Sequence, residues 1–163
     1  MEIERKYLIK TMPDLQRAEV KEIEQGYLCT NPVVRIRRSN ERYILTYKSH
    51  SLVEEKISAD TKMCQEIEMP LTEEGYYHLR EKTDGYFIAK TRYVLPLADG
   101  HMAELDVFHG RLEGLTFVEV EFADAEDAKR FQPPEWFGEN VSADNRYTNS
   151  FLSKQESLAV FDK

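Results

Sequence analysis

Pairs of like charges, each two residues apart, recur along this chain. The pairs that stand out are Glu2/Glu4, Arg35/Arg37, Glu66/Glu68, Lys90/Arg92, Glu104/Asp106 and Glu119/Glu121. In a β-strand, residues two apart point to the same face and lie roughly 6.5–7 Å apart. At that distance two like charges repel by about 2 kcal/mol at an effective dielectric constant of about 20. The acidic pairs could therefore bind cations, and the basic pairs could bind phosphates.

The charged residues of these segments alternate with apolar ones. For example, Glu119 and Glu121 flank Val120. An antiparallel sheet with one apolar face and one solvated face would explain any single strand of this kind. It does not explain why each pair is wholly acidic or wholly basic. The alternative is that the charged faces line one concave interior, while the apolar faces pack outward against helices. Such an interior would need both cations and a phosphate chain to relieve its repulsion.

The residue types indicate which ligands that interior could take. Carboxylates bind hard divalent ions, and Mg²⁺ commonly bridges carboxylates to substrate phosphates. The acidic candidates are Glu2, Glu4, Glu104, Glu119 and Glu121, and the cationic candidates for phosphate are Lys6, Arg35, Arg37, Lys48, Lys90 and Arg92. The four histidines and two cysteines lack zinc-type spacing. There is no Walker loop or nucleophile elbow, but phosphoryl transfer needs little beyond positioning, charge neutralisation and a metal-bound water.

Composition is typical of one soluble globular domain spanning residues 1–163, with 41% hydrophobic and 32% charged residues. A formal net charge of −8 argues against a general nucleic-acid or membrane-surface binder. No apolar run is long enough to cross a membrane, and the first residues do not resemble a signal peptide. Cys29 and Cys64 are expected to be small buried residues in a reducing compartment, so a cytoplasmic location is expected.

Period-2 patterns and turn signals indicate the elements that would position these residues. Strands are predicted near residues 1–9, 21–29, 33–39, 42–49, 53–69 (interrupted), 86–96, 100–108 and 115–122. Helices are predicted at 13–18, from Thr72 to about Thr83, at 125–131 after the cap Asp124, and over 148–161. About eight mostly antiparallel strands with few helices imply an α+β or all-β fold. Such sheets hide their edges by closing into a barrel or by pairing.

The opening Glu2-x-Glu4-x-Lys6 on a strand resembles the signature of the CYTH superfamily, the triphosphate tunnel metalloenzymes. Further matching segments follow in the family's order over roughly residues 1–152. They are Gln25-Gly26-Tyr27-Leu28, Arg35-Ile36-Arg37, Thr46-Tyr47-Lys48, Glu66-Ile67-Glu68, Lys90-Thr91-Arg92-Tyr93, Glu104-Leu105-Asp106-Val107-Phe108, Gly114-Leu115, Glu119-Val120-Glu121-Phe122 and Arg146-Tyr147-x-Asn149.

The resemblance implies a fold that is α+β but mainly β, an eight-stranded antiparallel closed barrel with a charged tunnel and flanking helices. It also implies Mg²⁺ or Mn²⁺ as cofactor and a small-molecule triphosphate as substrate. The implied metal ligands are Glu2, Glu4, Glu104, Glu119 and Glu121. The implied triphosphate contacts are Lys6, Arg35, Arg37, Lys48, Lys90, Arg92 and Arg146.

Some of the implied roles stay open at this stage. Glu2, Glu4, Lys6 and Tyr27 are the candidates for catalysis, although Tyr27 could equally be a packing aromatic near the mouth of the barrel. Glu66 and Glu68 could bind metal or order substrate, or they could form salt bridges that orient the arginines. Asp106 occupies an acidic position that could contact either metal or a basic neighbour.

Four functions compete. The leading hypothesis is hydrolysis of inorganic tripolyphosphate to pyrophosphate and phosphate by a metal-activated water. It leads because the short chain and its first eight residues resemble the small bacterial members of the superfamily. Nucleoside or thiamine triphosphate hydrolysis is the close alternative, and a class IV adenylyl cyclase ranks lower. A non-catalytic polyphosphate-binding module would not need five carboxylates in its cavity. The oligomeric state is left open, with a homodimer as one option.

Overall fold

Eight antiparallel strands close into a barrel in the computed structural model, which describes residues 1–49 and 60–162. Around the barrel the order is β5-β4-β3-β2-β6-β7-β8-β1, and the pairing of β1 with β5 closes the ring. A ninth strand, β9, pairs with the far end of β1. The strands are β1 Glu2–Ile9, β2 Glu19–Thr30, β3 Val33–Ser39, β4 Arg42–Ser49, β5 Lys62–Pro70, β6 Asp84–Pro96, β7 Met102–Phe108, β8 Thr116–Glu121 and β9 Phe137–Asn140.

The predicted fold class, a mainly β antiparallel closed barrel, is therefore confirmed. The bounds of β3 and β4 agree with the predicted strands. Within the described residues, the strand predicted over 53–69 begins only at Lys62, and residues 53–59 of that prediction lie outside the described part of the chain. The sequence analysis missed β9, because four residues give too short a pattern to show alternation.

Three short helices lie against the barrel: α1 Glu73–Arg80, α2 Ala125–Arg130 and α3 Asn149–Leu152. The two predicted caps form, since side-chain oxygens of Thr72 and Asp124 accept from the backbone N–H three residues on.

Two helix predictions were wrong. Residues 13–18 form a turn, in which Asp14 accepts from the backbone N–H of Gln16. The segment 148–161 is not one helix. It forms α3 and a separate 3₁₀ turn at Leu158–Phe161, each started by its own cap, Thr148 and Ser157. Each cap residue has extended backbone angles, and this interrupts a continuous helix.

Apolar side chains pack in two places. One cluster covers the outside of β1, β7 and β8, where Phe131, the residue after α2, packs with Phe137 of β9. The other fills one end of the barrel interior, where Phe108 and Phe117 pack with Leu152 of α3. The barrel interior therefore has an apolar floor, and only the remainder of its length is charged. In the described residues, no helix is long and apolar enough to span a membrane.

Candidate active site

The order of the strands sorts the charges of the interior into two halves. Strands β5, β1, β8 and β7 are consecutive and carry the acidic pairs, whereas β4, β3, β2 and β6 complete the ring with most of the basic residues. Register brings acid against acid in the first half, since Glu104 lies opposite Glu119 and Glu4 lies opposite Glu121. One wall of the interior is thus anionic, and the facing wall is cationic.

A cavity of about 1070 Å³ lies between the two halves. Most of the predicted site residues line it: Glu2, Glu4, Lys6, Tyr27, Arg35, Arg37, Lys48, Glu66, Glu68, Arg92, Glu104, Glu119 and Glu121. Lys90, Asp106 and Arg146 do not. Sequence reasoning missed Lys21, Lys62 and Cys64, which also line the cavity. The alternation could have found Lys62 and Cys64, because they share a strand face with Glu66.

The acidic wall is crowded enough for carboxylates to share protons. Burial and the neighbouring Glu119 and Glu2 raise the pKa of Glu4 well above its ordinary value. Burial opposes the ionisation of Glu119 as well, but Lys6 and Arg92 hold its pKa well below the ordinary value. A similar pair forms higher on the wall, where burial and a hydrogen bond with Glu2 raise the pKa of Glu66 to about 9. Burial and mutual repulsion on this wall thus favour the protonated forms of Glu4 and Glu66.

The oxygen donors of this wall are of the type that Mg²⁺ and Mn²⁺ take. In the described ranges 1–49 and 60–162, no three carboxylate, imidazole or thiol groups already converge on a single point as a finished metal site would require. A divalent cation would therefore draw the acidic side chains together and replace the shared protons. The carboxylate oxygens of this wall therefore suit a divalent cation such as Mg²⁺ or Mn²⁺.

The basic wall contains two arginines, Arg35 and Arg37, that form no ion pair with any carboxylate of residues 1–49 and 60–162. The buried Nε of Arg35 has no hydrogen-bond partner in the part of the chain that the structure describes. Gln25 accepts from Nε of Arg37 at 2.8 Å and fixes that side chain. Burial, together with the adjacent Arg35 and Arg92, lowers the pKa of Arg37 to about 9. An anion in the cavity would relieve this repulsion.

The two walls are joined by ion pairs at their seams. Lys48 Nζ lies 2.8 Å from Glu2, at the seam between the β5–β1 and β4 sides. Arg92 lies 2.6 Å from Glu104 and 2.8 Å from Asp106, at the seam between β6 and β7. These contacts hold Lys48 and Arg92 at the rim of the acidic wall. They also neutralise part of the charge that would otherwise face a phosphate.

Lys90 and Asp106 form a buried ion pair inside the barrel, beside the Phe108 ring of the apolar floor. Lys90 does not line the cavity, contrary to the direct phosphate contact predicted for it. Lys90 Nζ lies 2.8 Å from Asp106, and neither side chain has any exposed surface. Burial opposes ionisation, but Arg92 and Lys90 hold the pKa of Asp106 below its ordinary value. Asp106 therefore contacts basic neighbours, the second of the two roles left open for it, and it orients both Lys90 and Arg92.

The C-terminal segment closes one end of the cavity. Thr148, Asn149 and Ser150 line it there, and Leu152 packs into the apolar floor beneath. Arg111 holds this segment from outside by donating to the backbone carbonyls of Leu152, Gln155 and Phe87. The segment also lies tight against the start of β6, where a Cβ on Gly85 would come within 2.5 Å of the Ser153 carbonyl oxygen.

Arg146 was predicted to contact phosphate, and the structure places it elsewhere. Its guanidinium lies 2.6 Å from Asp144 on the surface and stacks over Phe161. The local 3₁₀ turn at Asn145–Tyr147 directs the side chain outward. The backbone of the same turn faces inward instead, because Lys6 Nζ donates to the carbonyl of Tyr147 at 2.7 Å.

Comparison with known proteins agrees with this geometry. No family model matches the chain. The inorganic triphosphatase of Nitrosomonas europaea is 39% identical over 155 residues, which cover 93% of this chain and 96% of that protein. The inorganic triphosphatase of Acetivibrio thermocellus is 34% identical over 157 residues, which cover 94% and 93%.

Solved structures share the fold. The crystal structure of an inorganic triphosphatase superposes with a TM-score of 0.68 at 38% identity and covers 95% of both chains. A protein from Hippeastrum, described as a putative adenylyl cyclase with a dominant triphosphatase activity, has a TM-score of 0.54 at 17% identity over 79% of this chain and 83% of that one. At that identity the likeness shows the fold alone.

The fold and the site together place this protein among closed antiparallel β-barrels whose interior has an acidic wall facing a basic wall. The two relatives named above match this chain at 39% and 34% identity over more than nine-tenths of its length, and this similarity identifies its family. The chain belongs to the inorganic triphosphatase family.

Proposed function

We propose that this protein hydrolyses inorganic tripolyphosphate to pyrophosphate and phosphate inside its barrel, as a member of the CYTH superfamily with Mg²⁺ or Mn²⁺ as cofactor. One observation carries the proposal: Arg35 and Arg37 line the barrel cavity without carboxylate partners in ion-pair contact among the described residues, across from a wall of glutamates. A short polyphosphate carrying divalent cations would neutralise both walls at once.

The basic wall would bind and orient the phosphate chain. Arg35 and Arg37 offer planar guanidinium groups that can grip phosphate oxygens bidentately, and Arg92 adds a third. Lys6 lies between the apolar floor and Glu119, since its Nζ is 4.3 Å from the Phe117 ring centroid and 3.5 Å from the carboxylate. Lys6 is therefore placed to meet the phosphate nearest the closed end.

The acidic wall would hold the cations. The candidate ligands are Glu2, Glu4, Glu104, Glu119 and Glu121, with Glu66 and Glu68 beside them. A bound divalent cation would supply charge neutralisation and a water of lowered pKa. The shared protons of the glutamates, described above, would leave when such an ion binds. Asp106 is not among these candidates, since it is fully buried against Lys90 and Arg92.

Tyr27 lies at the boundary between the floor and the charged cavity. Its side chain is 2% exposed and packs in the apolar cluster that contains Phe108 and Leu152, yet it also lines the cavity. Both roles considered for it are compatible with that position. We propose that its hydroxyl helps orient the terminal phosphate while its ring forms part of the floor.

The cavity lining favours an inorganic substrate over a nucleotide or thiamine triphosphate. Among the described residues that line the cavity, Tyr27 is the one aromatic side chain, and it belongs to the floor. Bases and thiazolium rings are held in protein sites by stacking on aromatic faces, and no such platform stands beside the arginines.

A phosphate-release assay tests the proposal. Purified protein is incubated with tripolyphosphate, pyrophosphate, ATP or thiamine triphosphate, each with Mg²⁺, Mn²⁺ or a chelator, and phosphate is measured colorimetrically. We expect turnover of tripolyphosphate that the chelator abolishes, with pyrophosphate accumulating as a product. Glu4→Gln, purified in parallel, controls for contaminating phosphatases. Tight binding of tripolyphosphate without turnover under any metal would refute hydrolysis, and preferential turnover of ATP or thiamine triphosphate would refute the inorganic substrate.

A further inference from the structure

We propose that Asn149 is a substrate-binding residue whose amide nitrogen donates to a phosphate oxygen while its amide oxygen positions Lys90. This inference rests on the proposed function, since it assigns a contact within the same cavity. The structure provides three observations for it: where the side chain lies, which way its amide faces, and what surrounds it.

The fold places Asn149 at the wall of the cavity. Thr148 caps α3 by accepting from the backbone N–H of Phe151, and Leu152 anchors the other end of α3 in the apolar floor. Asn149 is the first residue of α3, so it is held between these two fixed points. It lines the cavity together with its neighbours Thr148 and Ser150.

The orientation of the amide follows from hydrogen-bonding chemistry. Lys90 Nζ lies 3.2 Å from Oδ1 of Asn149 and 2.8 Å from Asp106. Nζ of Lys90 donates in this contact, so the atom of Asn149 that faces it is the oxygen, the acceptor of the amide. The amide nitrogen, Nδ2, then points away from Lys90. Within the described residues, Nδ2 has no protein acceptor in hydrogen-bond contact.

The surroundings favour an anion as the partner of Nδ2. Lys90 is wholly buried inside the barrel beside the Phe108 ring of the floor, and Lys6 Nζ donates to the backbone carbonyl of the adjacent Tyr147 at 2.7 Å. Two lysines therefore flank the part of the cavity that Asn149 lines. A neutral amide is the group that can accept from Lys90 and donate to phosphate at the same time. Asn149, rather than Arg146, is then the residue of the Arg146-Tyr147-x-Asn149 motif that contacts substrate.

Two substitutions separate this role from a purely structural one. Asn149→Ala removes both the acceptor for Lys90 and the donor for phosphate. Asn149→Asp keeps an oxygen facing Lys90 but replaces the donor with a negative charge facing phosphate. If Asn149 only held Lys90 in place, the aspartate variant would be the milder of the two. If Nδ2 binds phosphate, the aspartate variant must be the more severe.

The experiment measures kcat and KM for tripolyphosphate in both variants, with thermal unfolding of each in the absence of substrate. We expect KM to rise about 10- to 100-fold in Asn149→Ala, as for loss of a hydrogen bond to a charged group, and further in Asn149→Asp. Unfolding temperatures should stay close to wild type. Asn145→Asp is the matched control, because it adds the same charge to the same segment at an exposed position outside the cavity, and it should keep wild-type kinetics.

Two results would overturn the inference. One is an aspartate variant that binds tripolyphosphate as well as, or better than, the alanine variant. The other is a wild-type KM in Asn149→Ala. Failure of the proposed function is distinguishable: if wild-type protein releases no phosphate, calorimetric titration of tripolyphosphate into wild type and both variants still gives the same rank order when Asn149 binds phosphate. An equal affinity of all three proteins would reject the contact.

Discussion

Replacing Arg37 by glutamine should make the empty protein more stable and the substrate complex weaker. Burial and the adjacent Arg35 and Arg92 lower the pKa of Arg37 from the ordinary value of an arginine to about 9. At about 1.4 kcal/mol per pKa unit, this sets an upper bound of about 5 kcal/mol on the cost of holding the charge. Because the side chain is half-buried, solvent screening reduces that cost to about 1–2 kcal/mol.

The sign of this effect follows from the lowered pKa. At pH 7 the arginine is protonated in both folded and unfolded chains, so the whole penalty is present, and it declines only as the pH rises above about 9. Glutamine removes the charge and retains an amide donor for Gln25. For a chain of this size, about 1 kcal/mol corresponds to about 2–4 °C in unfolding temperature. We therefore expect a rise of about 2–8 °C at pH 7 without ligand.

With tripolyphosphate bound, the wild-type protein should instead be the more stable of the two. A charge-assisted contact to phosphate contributes about 1.5–3 kcal/mol, so KM for tripolyphosphate should rise about 10- to 100-fold in the Arg37→Gln variant. The affinity for tripolyphosphate should also fall by a larger factor than the affinity for pyrophosphate, because a longer phosphate chain contacts more of the basic wall. Thermal unfolding with and without tripolyphosphate, together with steady-state kinetics, measures both effects.

Arg38→Gln is the matched control for this experiment. Arg38 lies next along β3 on the outer face, where it donates to the Asn40 carbonyl and to the Tyr77 hydroxyl. Its substitution should leave KM unchanged. The reasoning is refuted if Arg37→Gln destabilises the empty protein and binds tripolyphosphate with wild-type affinity, because Arg37 would then be a structural residue and not an anion-binding one.

Two further predictions concern the acidic wall and the outer surface. Glu4→Gln should abolish phosphate release while leaving the unfolding temperature equal or higher, because Glu4 lies in a crowded set with Glu119; retained activity at saturating metal would remove Glu4 from the ligand set. His101 lies 2.8 Å from Asp99 and 2.9 Å from Asp127. Burial disfavours the charged imidazole, but the two carboxylates outweigh burial and raise the pKa of His101. The ion pairs of His101 therefore stabilise the fold fully at a pH below the pKa that the imidazole has in the unfolded chain. This stabilisation is lost as the pH rises through the higher pKa of the folded state. His101→Phe should lower the unfolding temperature at pH 5.5 and have less effect at pH 9, and a pH-independent difference would contradict the ion pairs.

Much of the barrel could be read from local patterns. Alternation in β3 and β4 placed both strands within their observed bounds, and the caps Thr72 and Asp124 start helices where predicted. These features depend on residues a few positions apart, so the sequence contains them directly. The helix predictions for 13–18 and 148–161 were wrong. In the first segment a turn competes with the helix, and in the second segment the cap Ser157 starts a separate turn.

The site was harder to predict residue by residue. Alternation correctly grouped Glu119 with Glu121 and Arg35 with Arg37 on one face. It could not show that Lys90 is buried at the apolar floor in an ion pair with Asp106. Nor could it show that Phe108 and Phe117, on the same strand faces as the charges, make an apolar floor. Depth along a barrel depends on strand stagger and on what closes the end, and neither is a local property.

The sequence by itself determined which side chains share a face, because the side-chain period of a strand is fixed by its backbone geometry. The tertiary structure decided which strands are neighbours. Only the ring order brings β1 between β8 and β5, and so gathers Glu4, Glu119 and Glu66 on one wall opposite Arg35 and Arg37. Segments far apart in sequence form these pairs, and their pairing is set by the free energy of the whole closed sheet.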